Sequence, residues 1–598
     1  MKKAIHVVSC GLAVLLVVLT FSVVTSAQVK PTAVIKRGYE VELRSDTKIM
    51  RDEVNSSGNV ITLDEPTDGS NEKHDEHEHF GRGNVQANDP LQDNIQIFPG
   101  FRPFVHFTQS ETSVASFGHT VVATYNNSAG IHLIPNPSGP GLVFDRIQIS
   151  GFSTSTNGGK TFKSGFFPGV DGIPFTFGDP SVDVDRHGNF FYAQLGQDVA
   201  GKGAITVNTS SDGLHWNNAV VAALDDGSDK EWLAVGPDPS KKNHDNVYVT
   251  WTSFQPNGQE LRFAMSTDGG ADWTSKTIFI PPADPNPTHP QNSLSFSNPV
   301  VDRSNGRLYV PFAHFSNSDT DFIQMLISDD AGKTFQFAKF NIPGAPDPTL
   351  LPIVQPGELI ECGVSVVNGQ VQINARLALH QGNDVGGSLT GLRRFVNATR
   401  LIAQPAIAVH DGKVFLSWNT SDSPVFGDPN SHSNIMFMSS PDGGKTWTKA
   451  IQVNPAGDPH HIHPSITLGE DGESVHISYY TQHTDGSLDL SLSSLKEDDE
   501  AFRVDRTVEV SSTPFALPPT NIPVPTATNP FATTNYDRNI AQCYALGEYQ
   551  SVKAADGRID VLWGDTRRTV TEPMNKLDPL SGVTHPQEDV FFQAVSPE

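Results

Sequence analysis

The stretch Ser266-Thr267-Asp268-Gly269-Gly270-Ala271-Asp272-Trp273 decides how the rest of the chain is read. An apolar run, Leu261-Arg262-Phe263-Ala264-Met265, leads into it. The paired glycines supply the positive φ of a tight turn at little steric cost. Ser266 and Asp268 can accept hydrogen bonds from the turn's own amides. Trp273 gives a large apolar ring to wedge against a neighbouring sheet. The stretch therefore reads as a locked hairpin between two strands.

The pattern recurs. It returns as Ser155-Thr156-Asn157-Gly158-Gly159-Lys160-Thr161-Phe162 and, shortened, as Ser210-Ser211-Asp212-Gly213-Leu214-His215-Trp216. Two more copies run from Ser328 to Phe335 and from Ser440 to Trp447. The opening serines are spaced by 55, 56, 62 and 112 residues. The last step is twice the first, which reads as one decayed copy in between. A period of this size signals a repeat architecture.

A second signature precedes each turn: a polar residue, a short apolar strand, a polar turn and a second strand. Examples are Asp179-Pro180-Ser181-Val182 with Asn189-Phe190-Phe191-Tyr192, and Asn298-Pro299-Val300-Val301 with Arg307-Leu308-Tyr309-Val310. Others start at Gln404 and His463, and further copies at Glu111, Glu231 and Glu548. Each unit is then a four-stranded antiparallel blade. The expected fold is all-β, a propeller whose radial blades leave few open edges. The count is seven blades, or eight if 345–400 forms one. The last blade lacks a clear fourth strand after Asp589–Val595, and a segment within 95–108, such as Val105-His106-Phe107, is expected to supply it.

Composition bounds the rest. The chain has 598 residues, with 50 Gly, 43 Pro and 18% charged residues. The net charge of -26 argues against a nucleic-acid partner. Residues 1–27 read as a signal peptide. Lys2 and Lys3 precede an apolar run from Val7 to Val24, and Thr25-Ser26-Ala27 offers a cleavage site. The protein is expected to be secreted or periplasmic and to meet a membrane only through that signal, an uncleaved anchor being the alternative. The mature chain keeps only Cys362 and Cys543, too few for disulfides to hold the fold. Residues 28–94 read as a disordered polar leader. Its run of His and acidic residues from Asn71 to His79 has no scaffold to make it a metal site. Residues 95–598 form the propeller. A monomer with no metal and no cofactor is expected.

The residues that lead each blade should fall at one height near the axis. Glu111, Asp179, Glu231, Asn298, Gln404, His463 and Glu548 would then ring one mouth, where a polar site belongs. Trp232 could stack on a sugar face. The competing reading is that these residues cap strand starts and bond neighbouring backbone. His460, His461 and His463 could chelate a metal for hydrolysis, but packed histidines are the commoner outcome.

The recurrent turns have the form of Asp-boxes (BNR repeats). With the blade pattern, they make residues 110–595 resemble the sialidase superfamily. Leu359-Ile360-Glu361-Cys362-Gly363-Val364, followed by Gly369 to Arg376, is similar to the sialidase segment that carries the catalytic Glu and one carboxylate-binding Arg. The resemblance implies that Glu361 activates a tyrosine and that Arg376 clamps a substrate carboxylate. It implies that Tyr549 is the nucleophile, the known exception to the two-carboxylate rule. Asp179, Glu231, Trp232, His463 and Glu548 would bind substrate. The pattern departs elsewhere. An acid, Glu111, stands where the first arginine belongs. An amide, Asn126, replaces the acid/base Asp and cannot donate a proton as an acid would. Residues 427–434 hold no third arginine. The expected function is a carbohydrate-handling, exo-α-sialidase-like glycoside hydrolase with an incomplete site. The alternative is a non-catalytic glycan- or protein-binding module, since fold alone does not fix function. The expected partner is a glycan or glycoconjugate.

Overall fold

A computed structural model describes residues 83–90, 109–135, 142–241, 243–256, 258–282, 293–315, 321–354, 358–367, 370–378, 403–422, 432–457, 460–483, 487–498, 501–515, 546–571 and 584–597. The signal peptide, the leader up to residue 82 and Val105-His106-Phe107 lie outside them. Among the described residues every regular element is a strand, apart from one 3-10 turn at Ser128–Gly130.

Consecutive stretches of chain fold into antiparallel sheets. The first contains Gln109–Phe117, Thr120–Asn127, Ser150–Ser155 and Lys163–Phe166 in that order. The second contains Phe175–Val184, Phe190–Gln197, Gly203–Ser210 and Val220–Leu224, extended by the hairpin Ile131–Pro135 and Leu142–Gln148. The third runs Ser228–Pro237, Asp245–Gln255, Gly258–Ser266, Thr274–Phe279. The fourth is built on Val300–Val301, Leu308–Phe315, Asp321–Ser328 and Gln336–Phe337. The fifth has Ala406–His410, Lys413–Ser421, Ser433–Ser440 and Ile451–Gln452. The sixth has His460–Leu468, Val475–Gln482, Leu488–Asp498 and Ala501–Glu509, and it is continuous with the fifth in one eight-stranded sheet through the parallel pairing of Ser433 with His460. The seventh has Ser551–Ala555, Arg558–Thr571 and Thr584–Val595.

The first strands of these sheets pack one against the next in chain order, and that of the seventh returns to that of the first. Hydrogen bonds mark the steps. The Val182 amide donates to Ser113 Oγ at 3.1 Å, Leu233 to Ser181 Oγ at 2.9 Å and Val552 to Ser465 Oγ at 3.2 Å. Thr112 Oγ1 closes the circuit by donating to the Leu562 carbonyl at 2.8 Å.

The apolar core is divided in the same way, one cluster for each pair of neighbouring sheets. Strand pleating explains how. In the first sheet Val121, Ala123 and Tyr125 face Leu562, Val590 and Phe592 of the seventh. Val122 points the other way, toward Val182 and Tyr192 of the second. Middle strands are thus buried on both faces and read as nearly continuous apolar runs.

The recurrent turns behave as their side chains dictate. Ser266 Oγ accepts from the Gly270 amide at 2.9 Å, and Asp268 Oδ1 from the Asp272 amide at 3.0 Å. Trp273 Nε1 donates to the Gly270 carbonyl at 3.0 Å. Gly270 has φ +90°. The same serine-to-glycine bond recurs at Ser155, Ser210, Ser328 and Ser440. Each closing glycine sits against the preceding sheet. A Cβ on Gly332 would collide with the Phe263 ring, and one on Gly159 with Phe592. The closing aromatics point the same way, Phe335 onto Phe263 at 5.5 Å and Phe162 onto Phe592 at 5.3 Å between ring centroids.

Three expectations are corrected. Among the described residues the 112-residue step holds no decayed copy. Instead, residues 338–405 connect the fourth and fifth sheets and contain a separate hairpin, Glu358–Val367 with Gln370–Ala378. The degenerate copy lies in the sixth sheet. There Leu495 pairs with Val475 as Ser440 pairs with Val414. Phe502, seven residues on, packs on Phe437 at 5.3 Å. The third correction concerns the leader. Val85–Gln86 pairs antiparallel with Phe592 and Phe591, so the seventh sheet gains its outer strand from within 28–94. Two residues show no periodicity in sequence. They are held by Asn88, which donates to Asp589 Oδ1 at 2.8 Å and accepts from the Val590 amide at 2.8 Å.

The two ends of the ring differ. Connections 128–149, 280–299, 338–405 and 510–550 all leave from the end where the first strands begin. The opposite end carries short turns such as 118–119, 302–307 and 556–557, together with the recurrent turns.

Candidate functional site

The first strands share a distortion near their starting ends. Register shifts fall between Ser110 and Ser113, Gly178 and Ser181, Asp229 and Trp232, and Ile462 and Ser465. At each bulge a non-glycine residue takes the left-handed region: Glu111 (φ 55°), Asp179 (56°), Lys230 (50°) and His463 (53°). Phe296 of the fourth sheet has φ 55°. Such bulges re-aim side chains and are common beside functional sites. Counting from the sheet-to-sheet hydrogen bonds at Ser113, Ser181 and Ser465, the matching residues are Glu111, Asp179, Lys230, Phe296, Gln404, His463 and Tyr549. The sequence reading had Glu231, Asn298 and Glu548 in three of these places, one or two residues away. Bulge register depends on tertiary packing and leaves no mark in the sequence.

Glu111, Asp179, Tyr549 and Glu548 gather around the Lys230 ammonium. The Lys230 ammonium lies 3.0 Å from Glu111 Oε1 and 3.8 Å from Asp179 Oδ1, and pairs with Glu548 Oε2. It also stands 4.9 Å from the centroid of the Tyr549 ring, a cation–π contact. Asn126 Nδ2 donates to Glu111 Oε2 at 2.7 Å, and Asn126 Oδ1 accepts from the Asp179 amide at 2.9 Å. Trp232 meets the Tyr549 ring edge-on at 5.0 Å and is half-buried. The charged members are buried.

Burial sets their protonation. It pushes Asp179 up to about 8 against the pull of Lys230, with Glu111 adding to the rise. Glu231 is pushed well above the usual carboxylate range by burial and then by Asp179. Both of its oxygens are buried, and no other residue donates a hydrogen bond to them. Glu588 is raised well above that range by burial, with Glu111 adding to the rise. The Tyr549 hydroxyl donates to the Pro180 carbonyl at 3.3 Å. Its ionisation is strongly disfavoured, first by burial and then by Glu111, Asp179 and Glu231.

The remaining candidates fall elsewhere. His463 is buried edge-on to Tyr480, at 6.1 Å, in the sixth sheet. His461 Nδ1 bonds Thr481 Oγ1 at 3.1 Å, and His460 Nδ1 accepts from the Ser433 amide at 3.3 Å. Among the described residues no group of three or more His, Cys, Asp or Glu is arranged to hold a metal ion. Glu361 sits at the register shift of its hairpin, and Arg376 pairs with Ile360. The side chains of both lie outside the described residues. Sequence reasoning missed Lys230, whose neighbours Asp229 and Glu231 gave no reason to prefer it.

No family model matches the chain, and no curated protein matches it. Among solved structures it is similar to a protein of unknown function from Dyadobacter fermentans, at 14% identity and TM-score 0.36, over 70% of this chain and 95% of that one. It is similar to the Hadza microbial sialidase Hz136 at 13% identity and TM-score 0.36, over 76% and 75% of the two chains. It is similar to Aleuria aurantia lectin in complex with alpha-methyl-L-fucoside at 10% identity and TM-score 0.34, over 67% and 96%. Likeness at this level carries no residue or activity from those proteins to this chain.

Proposed function

We propose that this is an exported, seven-bladed propeller of four-stranded antiparallel blades that binds carbohydrate at the end where the first strands begin. The observation that carries the reading is the asymmetry of the two ends. The long connections leave from one end only, and binding residues concentrate on such loops over a rigid scaffold. Trp232, half-buried at that end and braced by Tyr549, is an amphipathic platform of the kind that takes a sugar face. Titration calorimetry against a panel of neutral, acidic and amino sugars tests this. Binding that is lost in Trp232→Ala supports it, and no binding across the panel overturns it.

A second reading keeps a sialidase-like hydrolase that uses Glu361, Arg376 and Tyr549. It is favoured by the place of the Glu361 hairpin, within the long connection between the fourth and fifth sheets. The surroundings of Tyr549 weigh against it. A nucleophile needs a base or a lowered pKa, whereas this hydroxyl is bonded to a backbone carbonyl and held in its neutral form. Kinetics on a fluorogenic sialoside, with Tyr549→Phe as control, separate the two readings. Turnover that disappears in the variant would establish the hydrolase.

A further inference from the structure

Among the described residues a single backbone pairing joins the fifth sheet to the sixth, and a histidine makes it. Ser433 opens the third strand of the fifth sheet and pairs with His460, which opens the first strand of the sixth. Both residues are buried. The Ser433 amide donates to His460 Nδ1 at 3.3 Å, and Ser433 Oγ donates to the His461 carbonyl at 2.8 Å. A backbone N–H can only donate, so His460 Nδ1 carries no proton and the ring proton sits on Nε2. Other steps between sheets use serine oxygens as acceptors, at Ser113, Ser181 and Ser465. A hydroxyl oxygen keeps its lone pairs as pH falls, whereas an imidazole nitrogen loses its one lone pair to a proton.

His460 stands among other titratable groups. Its ring centroid lies 6.3 Å from that of His432. His461 follows on its own strand, and its pairing with Gln482 places it beside His483 on the next. His432 pairs with Asp422 at 3.0 Å, and His483 pairs with Asp489, which Glu509 approaches in turn. Asp422 and Asp489 thus serve the outer histidines. Burial, and then His460, His483 and His432, hold His461 down to about 3. We propose that the joint is an acid-released latch, in which a proton on His460 Nδ1 turns the acceptor of the Ser433 amide into a donor and parts the two strands. The step takes one proton from solvent and changes only hydrogen bonds within the chain. Two N–H groups then face each other in a buried place, which is unfavourable until they separate. The parting is local. The apolar cluster between the two sheets, with Phe415, Phe437 and Ile477, holds no group that titrates in this range.

Hydrogen exchange of the full chain tests this, read at single-amide resolution from about pH 7.5 to about pH 4.5 and corrected for intrinsic rates. The Ser433 amide should lose about tenfold in protection across this range, the worth of one hydrogen bond. The Ile435 amide is the internal control. It donates to Asn454 Oδ1 at 2.8 Å, an acceptor that does not titrate, and should keep its protection. His460→Asn offers an oxygen near the place of Nδ1 and should abolish the response. Isotope labelling of the histidine ring nitrogens should find the His460 proton on Nε2 at neutral pH, a measurement that needs no variant to fold. A proton on Nδ1, Ser433 protection that ignores pH, equal loss at Ile435, or an acid response that survives His460→Asn would each overturn the latch. None of these readouts depends on the carbohydrate reading.

Discussion

The ammonium of Lys230 meets the carboxylate of Glu111 at 3.0 Å, although 119 residues separate them. The contact reaches from the third sheet to the first, and through Glu548 to the seventh. A single cation thus ties the seam of the ring to its far side. Taking these charges from water is costly, and only the mutual pairing offsets that cost.

Lys230→Met should therefore cost about 3–5 kcal/mol, the usual loss when one member of a buried ion pair is removed. Urea denaturation near neutral pH reads this directly. The double variant Lys230→Met with Glu111→Gln should recover part of the loss, because fewer carboxylates are then stranded. An unchanged midpoint in the single variant would refute the clasp.

Asp179 gives a pH dependence of definite sign. Its folded value of about 8 stands above the ordinary 3.8, so the folded chain holds a proton that the unfolded chain has lost. That contribution is fully present below the unfolded value and is lost as pH rises through the folded one. Between about pH 4 and 8 that loss should lower stability by up to about 1.4 kcal/mol per pH unit. Asp179→Asn should flatten the slope. A variant that keeps the wild-type slope would assign the titration to another group.

His461 and His476 act in the opposite direction. Burial lowers them from 6.5 to about 3 and about 4, His461 being further lowered by His460 and His476 by Arg506. Their contribution is present above the ordinary value and is lost as pH falls from 6.5 toward 4. His461→Gln should blunt the acid-side loss of thermal stability, and indistinguishable acid limbs would show that His461 stays uncharged in both states.

The recurrent turns should differ in sensitivity along their length. Gly332→Ala puts a Cβ into the Phe263 ring at φ +76°, a strained and overpacked change expected to cost about 1–3 kcal/mol. Trp273 is only half-buried against the core of the second and third sheets. Its replacement by Ala should cost about 1–2 kcal/mol, less than the 3–5 kcal/mol typical of a fully buried ring such as Trp251. Denaturation midpoints that rank the two tryptophans the other way would refute this packing.

A chain starting at residue 91 lacks Asn84, Val85 and Asn88. Compared with one starting at residue 83, it should melt lower, because the Val590 amide loses its partner and Asp589 loses its Asn88 donor while keeping Arg568. Equal melting temperatures would show that the edge strand contributes nothing.

What could be read from sequence follows the range of the forces involved. The turns were legible because Ser, Asp and Gly act on amides within eight residues, as Ser266, Asp268 and Gly270 do. The paired strands were legible because their apolar runs are continuous. The bulges were not, since nothing local forces Lys230 rather than Glu231 into the left-handed region. Asn126 was legible as an amide in an unexpected place, but not as the brace between Glu111 and Asp179. The edge strand Val85–Gln86 was invisible, because its partners lie more than 500 residues away and its hold comes from asparagine side chains.

That pairing also governs how the molecule comes into being. Val85 and Gln86 are made more than 500 residues before their partners Phe591 and Phe592. The earlier sheets can form as the chain emerges, but the ring stays open until the final strand arrives. Contacts this distant in sequence form slowly. In the interval the edge of Thr584–Val595 and the apolar faces of Val590 and Phe592 are open to other chains. The closing of this pair is therefore the step most exposed to aggregation, and removal of either strand should fail in the same way.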